Sequence, residues 1–309
     1  MIDTLTQLLA TTHLAGDVFS HSLCDPPWGM RYPAAGHVWF HVVATGSCQL
    51  VADGERPRAL TTHDLVLLPY GTGHLLCDAP DSRAIDVDPA WVRQQTRWPV
   101  VVTTGRGRRT RGPRSEIMCG SFSGAHSVLR LLPRVIFISG QQVMSHVGMQ
   151  STMQQLYREL AQHDVGAGSI IKRLLEVMFV QILRHWLDTV PAGSAGWLGA
   201  LRDESIGNAL GLMHADPART WTIRTLALEV GMSRPVFARR FAEQVGDTPM
   251  EYLRAVRIDR AAEMLARTSD SIAEIANAVG YTSEYAFNRA FARERGVPPG
   301  RFRKTTDPR

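Results

Sequence analysis

Apolar residues recur at i, i+3, i+4 and i+7 twice in the last third of the chain. Ile223, Leu226, Ala227 and Val230 make the first stripe, and Ile272, Ile275, Ala276 and Val279 the second. That spacing predicts one face of an amphipathic helix. Each stripe stops at a glycine, Gly231 or Gly280, and a second apolar pattern begins a few residues later. Ser233, Phe237, Arg239, Phe241, Gly246 and Pro249 then recur as Ser283, Phe287, Arg289, Phe291, Gly296 and Pro299. A repeat of this kind is one supersecondary unit used twice. Thr222 and Ser271 are hydroxyl caps for the first helices, and Ser271 with Glu274 spells a capping box. The glycines suit left-handed C-caps. Ser233 and Ser283 are expected to cap the second helices, and Pro235 is tolerated in a first turn. Helix, glycine turn, helix is the grammar of the helix-turn-helix, whose second helix enters the DNA major groove.

The same period sorts the second helices into buried and open faces. Phe237, Phe241, Phe287, Ala290 and Phe291 are assigned inward. Arg234, Val236, Ala238 and Arg239 are left facing out in the first unit, with Arg240 at the margin and suited to a phosphate. In the second unit the outward set is Ser283 at the cap, Glu284, Tyr285, Asn288 and Arg289. Arginine can hold guanine O6 and N7 together, and asparagine adenine N6 and N7.

Upstream the texture changes. Thr4 to Ala10 predicts a short helix. From Val18 to about Ser123, short alternating runs are broken by glycine, proline and aspartate, which predicts strands. His37–Ala44, Ser47–Val51, Asp64–Leu68, Gly73–Leu76, Val100–Thr103 and Ile117–Ser123 are such runs, with Ala52-Asp53-Gly54 as a turn. Strands this dense, with no helices between them, predict a closed or nearly closed barrel. Helices return from His126 to Leu132, Ser145 to Gln162 and Ser169 to Thr189, the last two joined at Gly166-Ala-Gly168 as a hairpin. Ile170, Leu174, Val177, Met178, Ile182 and Leu183 form a broad apolar stripe, which either packs on the barrel or meets a second subunit. Pro191-Ala-Gly-Ser-Ala-Gly196 reads as a linker. The boundaries expected are 1–140 for the sheet-rich domain, 141–200 for hairpin and linker, and 201–309 for the DNA-binding domain. The fold class is α+β.

Composition narrows the setting. The 309 residues suit two domains, and an apolar share of 44% is that of a globular chain. A formal charge of +5 and a pI of 9.3 suit a polyanionic partner. No run has the length of a membrane helix and Met1-Ile-Asp-Thr-Leu does not resemble a signal peptide. Cys24, Cys48, Cys77 and Cys119 are too irregularly spaced for a disulfide framework. A cytoplasmic protein with reduced thiols is the expectation.

About a hundred residues, from Ser205 to Lys304, resemble the DNA-binding domain of the AraC/XylS family of transcription regulators. Gly280-Tyr281, Ser283, Phe287, Arg289, Phe291, Gly296-Val-Pro-Pro299 and Phe302-Arg303 carry most of the resemblance. It implies a linker helix, here Pro249 to about Arg267, holding two recognition helices over successive major-groove segments of one asymmetric site. It also implies a homodimer joined through the hairpin and an activator that meets RNA polymerase. Residues 10 to 125 resemble the cupins, with Asp64-Leu-Val-Leu-Leu-Pro69-Tyr-Gly71-Thr-Gly-His74 similar to their second motif. Such a domain implies a small-molecule effector in the barrel.

Many cupins hold a divalent ion with a His-x-His pair, which His37-Val-Trp-Phe-His41 lacks. His37 and His41 share a strand face about 13 Å apart and cannot both reach one ion at about 2.1 Å. Cys77, an odd step from His74, points away in a regular strand. His41, His74 and Cys119, with His21 as a fourth, are the candidate ligands for Zn or Ni, or else ordinary lining residues. The basic segment Gly105 to Arg114 either meets an anion or is a solvated loop. A ligand-responsive, non-enzymatic regulator of double-stranded DNA is the leading expectation. Its rivals are a metal-dependent cupin enzyme fused to a DNA-binding domain and a thiol or metal sensor acting through Cys119, Cys77 or Cys48.

Overall fold

The computed structural model describes residues 15–34, 37–87, 113–123, 132–162, 164–189 and 203–306. The Thr4–Ala10 and His126–Leu132 helices, the Val100–Thr103 strand, most of the basic segment and the 191–196 linker lie outside them. The described residues form two compact units, one of residues 15–123 and 132–189, the other of residues 203–306.

The first unit contains ten strands: β1 (Ala15–Cys24), β2 (Gly29–Tyr32), β3 (Val38–Thr45), β4 (Ser47–Ala52), β5 (Arg58–Thr61), β6 (Leu65–Leu68), β7 (His74–Cys77), β8 (Ile85–Asp86), β9 (Ser115–Ser123) and β10 (Ile136–Ile138). They make two five-stranded sheets, ordered β1-β9-β3-β6-β10 and β5-β4-β7-β2-β8. Of the expected closed or nearly closed barrel, closure is therefore corrected: among the described residues the strands form two sheets that are not joined into one barrel. The chain changes sheets between β3 and β4 at the single residue Gly46, whose φ is +82°. That corner lets β3 pair with β9 and β6 while β4 pairs with β5 and β7. Trp28, Met30, Tyr32, Trp39, Leu50, Val66, Leu76 and Ile117 belong to one buried cluster drawn from strands of both sheets.

The first sheet is covered on its other face as well, by α3 (Ala167–Thr189), on which α2 (Val147–Gln162) packs, with α1 (Gly140–Ser145) packed on α2 in turn. Phe40 packs on Phe122 and Phe122 on Phe179 of α3, with ring centroids 5.0 and 4.9 Å apart. This double cover explains why Val38–Ala44 is buried at every position, where a one-sided strand would alternate. The approach of α3 to β1 needs a missing side chain, since a Cβ at Gly16 would lie 2.6 Å from that of Leu175. Asp64 ties sheet to helix: one oxygen accepts from Gly140 N of α1 at 2.7 Å, the other from Thr61 N at 2.7 Å. The stripe on α3 is split. Met178, Ile182 and Leu183 are buried, whereas Ile170 and Val177 are exposed.

The second unit is all helical: α4 (Glu204–Ala215), α5 (Ile223–Glu229), α6 (Arg234–Val245), α7 (Pro249–Arg267), α8 (Ile272–Ala278), α9 (Glu284–Arg295) and α10 (Pro299–Thr306). The linker helix α7 has the bounds read from the sequence. Its buried face of Ile258, Ala261, Ala262 and Leu265 meets Ile275, Val279, Phe287 and Phe291 in one cluster.

Candidate nucleic-acid interface and sensor core

The duplicated turns are built from the same hydrogen bonds. In the first, Met232 N donates to Ala227 O at 2.8 Å and Gly231 N to Leu228 O at 3.2 Å. In the second, Tyr281 N donates to Ala276 O at 2.9 Å and Gly280 N to Asn277 O at 3.0 Å. Both are Schellman closures, which require the left-handed φ of +68° at Gly231 and +86° at Gly280. Thr222 with Thr225, and Ser271 with Glu274, form capping boxes on α5 and α8. The second helices differ. Both serines stand at the N-cap as expected, but only Ser283 accepts, from Ala286 N; Ser233 makes no side-chain cap bond. Pro235 in that first turn has no N–H to be capped, and proline fixes the helical φ itself.

On α6 the structure leaves Arg234, Val236, Arg239 and Arg240 exposed and Ala238 half-buried; Phe237 and Phe241 are fully buried. On α9 Ser283, Glu284, Tyr285 and Arg289 are exposed, Asn288 is half-buried, and Phe287 and Phe291 are fully buried. Ala290 is half-buried against the core. Sequence reasoning passed over Ala286, which is exposed as the counterpart of Val236; the repeat itself carried that signal. Arg289 leans over Tyr285, its guanidinium carbon 5.8 Å from the ring centroid. Arg239 makes only a long, exposed pair with Glu243 at 3.8 Å. Arg240 is more firmly held: its Nε lies 2.6 Å from Asp203, which also accepts from Gln244 at 2.8 Å and caps α4 through its other oxygen.

The sheet unit holds a polar group inside its apolar core. His41 and His74 are 1% and 4% exposed, and their Nε2 atoms lie 2.7 Å apart. Burial drives both rings toward the neutral form, His74 down to about 4 and His41 well below its usual range, with His74 adding to the shift of His41. His74 Nδ1 stands 2.8 Å from the carbonyl oxygen of Thr72, so Nδ1 carries the hydrogen and donates. Nε2 of His74 is then an acceptor, and His41 must donate to it from Nε2. That leaves His41 Nδ1 as a buried acceptor without a hydrogen-bond partner among the described residues. Tyr32 stacks on His74 at 4.8 Å with the planes 6° apart, and its hydroxyl donates to Cys119 Sγ at 3.1 Å.

Of the four candidate ligands, the structure therefore brings His41 and His74 together and places Cys119 opposite His41 on the neighbouring strand β9. His21 is not part of the set. It pairs with Met118, one step out of phase with Cys119, and its ring lies against Glu116 on the other face. Two imidazole nitrogens on one tetrahedral ion stand ~3.3 Å apart, whereas these are bonded to each other. Among the described residues no three His, Cys, Asp or Glu side chains are arranged to hold one ion. As placed here, the set does not fit Zn or Ni.

Two matched helix-turn-helix units on one linker helix, with a separate sheet unit enclosing a polar core, define a double-headed DNA-binding protein with a sensor-type domain. Residues 3–188 match the cupin family and residues 226–305 a helix-turn-helix domain family. A putative AraC-like transcription regulator of Streptomyces lividans is 32% identical over 307 residues, spanning 98% of this chain and 97% of that protein. The HTH-type transcriptional regulator MtrA of Neisseria gonorrhoeae is 30% identical over 311 residues, 98% of each chain. AlkR of Acinetobacter baylyi, another HTH-type transcriptional regulator, is 26% identical over 310 residues, 98% of this chain and 99% of AlkR. The chain belongs to the AraC family of transcription regulators. These relatives carry the names of regulators and not of enzymes. Among the described residues no helix is long and apolar enough to cross a membrane.

Proposed function

We propose that this regulator is an activator switched by a small molecule bound in the sheet unit, acting as a cytoplasmic homodimer that recruits RNA polymerase. The observation that carries the effector reading is the unsatisfied acceptor at His41 Nδ1, buried beside Tyr32 and His74. A buried polar atom without a partner costs about 1–3 kcal/mol, and a ligand donor placed there would recover that energy. Exposed Ile170 and Val177, two turns apart on α3, support the homodimer. Effector binding shifts the regulator only if its affinity differs between two arrangements of the chain.

In the DNA-binding unit, Arg234, Val236, Ala238 and Arg239 of α6 and Ser283, Glu284, Tyr285, Asn288 and Arg289 of α9 are the base-reading set. Arg240, oriented by Asp203, is the phosphate contact. The test is footprinting of the full chain on its own upstream region, with a thermal-shift screen of small molecules on the same preparation. Protection of two segments one helical turn apart, strengthened by a compound that raises the melting temperature, supports the reading. Protection indifferent to every stabilising compound would remove the effector from it.

A further inference from the structure

The two glycine corners share their hydrogen bonds but not their surroundings. Around Gly231 a Cβ would meet nothing within 4 Å. At Gly280 it would lie 2.7 Å from Ala218 O, 2.9 Å from Ala218 Cα and 3.0 Å from a terminal nitrogen of Arg257. The turn of the second helix-turn-helix is thus docked on the segment that leads into the first. Arg257, half-buried on α7, fastens that contact. Its Nε donates to Pro217 O at 2.7 Å and its Nη2 to Arg219 O at 3.0 Å, the carbonyls on either side of Ala218. The same guanidinium stands 5.9 Å from the ring centroid of Tyr281, the residue after Gly280.

The gripped segment is itself fixed to the first helix-turn-helix. Trp221, buried, donates from Nε1 to Asp216 O at 2.9 Å. Arg219 pairs with Glu229 at the end of α5 at 2.8 Å and lies 4.0 Å over the Trp221 ring. On the other side, α9 is bound to α7 by Arg295 with Asp259 at 2.6 Å and Arg254 with Glu294 at 3.3 Å. A continuous run of contacts therefore joins α9 to α5, on which the first recognition helix α6 packs, and Arg257 is its middle link. Two carbonyls on one planar guanidinium hold an angle as well as a distance, which the single point charge of a lysine does not.

We propose that Arg257 is a positioning residue that sets the spacing between the two half-sites the protein accepts. Adding or removing one base pair moves a half-site by about 3.4 Å and turns it by about 34°. A rigid pair of recognition helices cannot follow; a loosened pair can. This inference rests on both helix-turn-helix units reading DNA.

The experiment selects duplexes from a random pool with the full wild-type chain, then with Arg257→Ala and Arg257→Lys. The wild type is expected to select two sequence boxes at one spacing, and to bind versions altered by one base pair about tenfold or more weakly, within the usual range of coupling between sites. Both variants are expected to select the same boxes but to bind the altered spacings within about threefold of the original. A folded variant of either kind that keeps the wild-type spacing preference overturns the proposal. So does loss of the boxes themselves. Should Arg257→Ala fail to fold, Arg257→Lys, which keeps the charge but not the double grip, decides alone. A wild type that selects no boxes fails the DNA-reading assignment instead, so the two failures are distinct.

Discussion

His41 donates its Nε2 hydrogen to Nε2 of His74 across 2.7 Å, and neither ring has a charge to share. A pair built this way is broken once Nε2 of His74 takes a proton, because both facing atoms would then be donors. Unfolded histidines titrate near 6.5, while His74 in the folded chain is pushed to about 4 and His41 also lies lower. Between those limits the unfolded chain binds protons that the folded chain refuses, so stability falls as pH falls from about 6.5 toward about 4. His74 alone accounts for roughly 3 kcal/mol at the acid end. Melting temperatures measured from pH 7 to pH 4.5 should decline, and His74→Gln should be less stable at pH 7 yet show a shallower decline.

The four cysteines are all reduced and buried. Burial raises every thiol above its ordinary range, Cys119 to about 12. A thiol held protonated is a poor nucleophile. Iodoacetamide at pH 7.5 should therefore leave all four unmodified in the folded protein for at least as long as global unfolding takes, as read by mass spectrometry. Rapid labelling of Cys119 at native stability would revive the thiol-sensor reading.

The reading heads should respond separately. Arg239→Ala should cost about 1–3 kcal/mol of base discrimination in one half-site, and Arg289→Ala the same in the other. Arg240→Ala should weaken all duplexes evenly and reduce the salt slope by about one. Binding titrations against single-base variants at three salt concentrations distinguish the two patterns. If Arg239→Ala and Arg289→Ala leave base preference untouched, the groove-facing assignment is wrong.

The paired glycines give a stability contrast. Alanine at the left-handed φ of either corner costs about 1–2 kcal/mol. Gly280→Ala adds a clash with backbone at 2.7 Å that Gly231→Ala lacks. Urea unfolding of the full chain, followed by circular dichroism, should place Gly280→Ala below Gly231→Ala; equal midpoints would contradict the docking of the second turn.

The helical unit was legible because its determinants are local. Caps, glycine corners and the two-phenylalanine face are set within a few residues of each other, and Pro249 to Arg267 could be bounded from them. The asymmetry between Gly231 and Gly280 was not legible, because Arg257 and Ala218 reach the second turn from some twenty and sixty residues away. The sheets were harder for the same reason. β3, β4, β6, β7 and β9 announced themselves, but β2, β5 and β10 have meaning only once paired. Sheet closure depended on which strands Gly46 sends to which layer. His21 was grouped with Cys119 because phase between strands cannot be read until register is known. Register shifts at Val18/Ser20 and Val43/Thr45 reset that phase in the strands concerned.

The chain has two corners of one design, and docking makes them unequal partners. The corner at Gly231 faces open space, so a side chain there would meet only the strain of its own backbone. The corner at Gly280 is wedged between a backbone and a guanidinium, and a change there must be answered elsewhere. A side chain added at the first corner therefore strains its own turn alone, whereas one added at the second also displaces the segment ahead of α5.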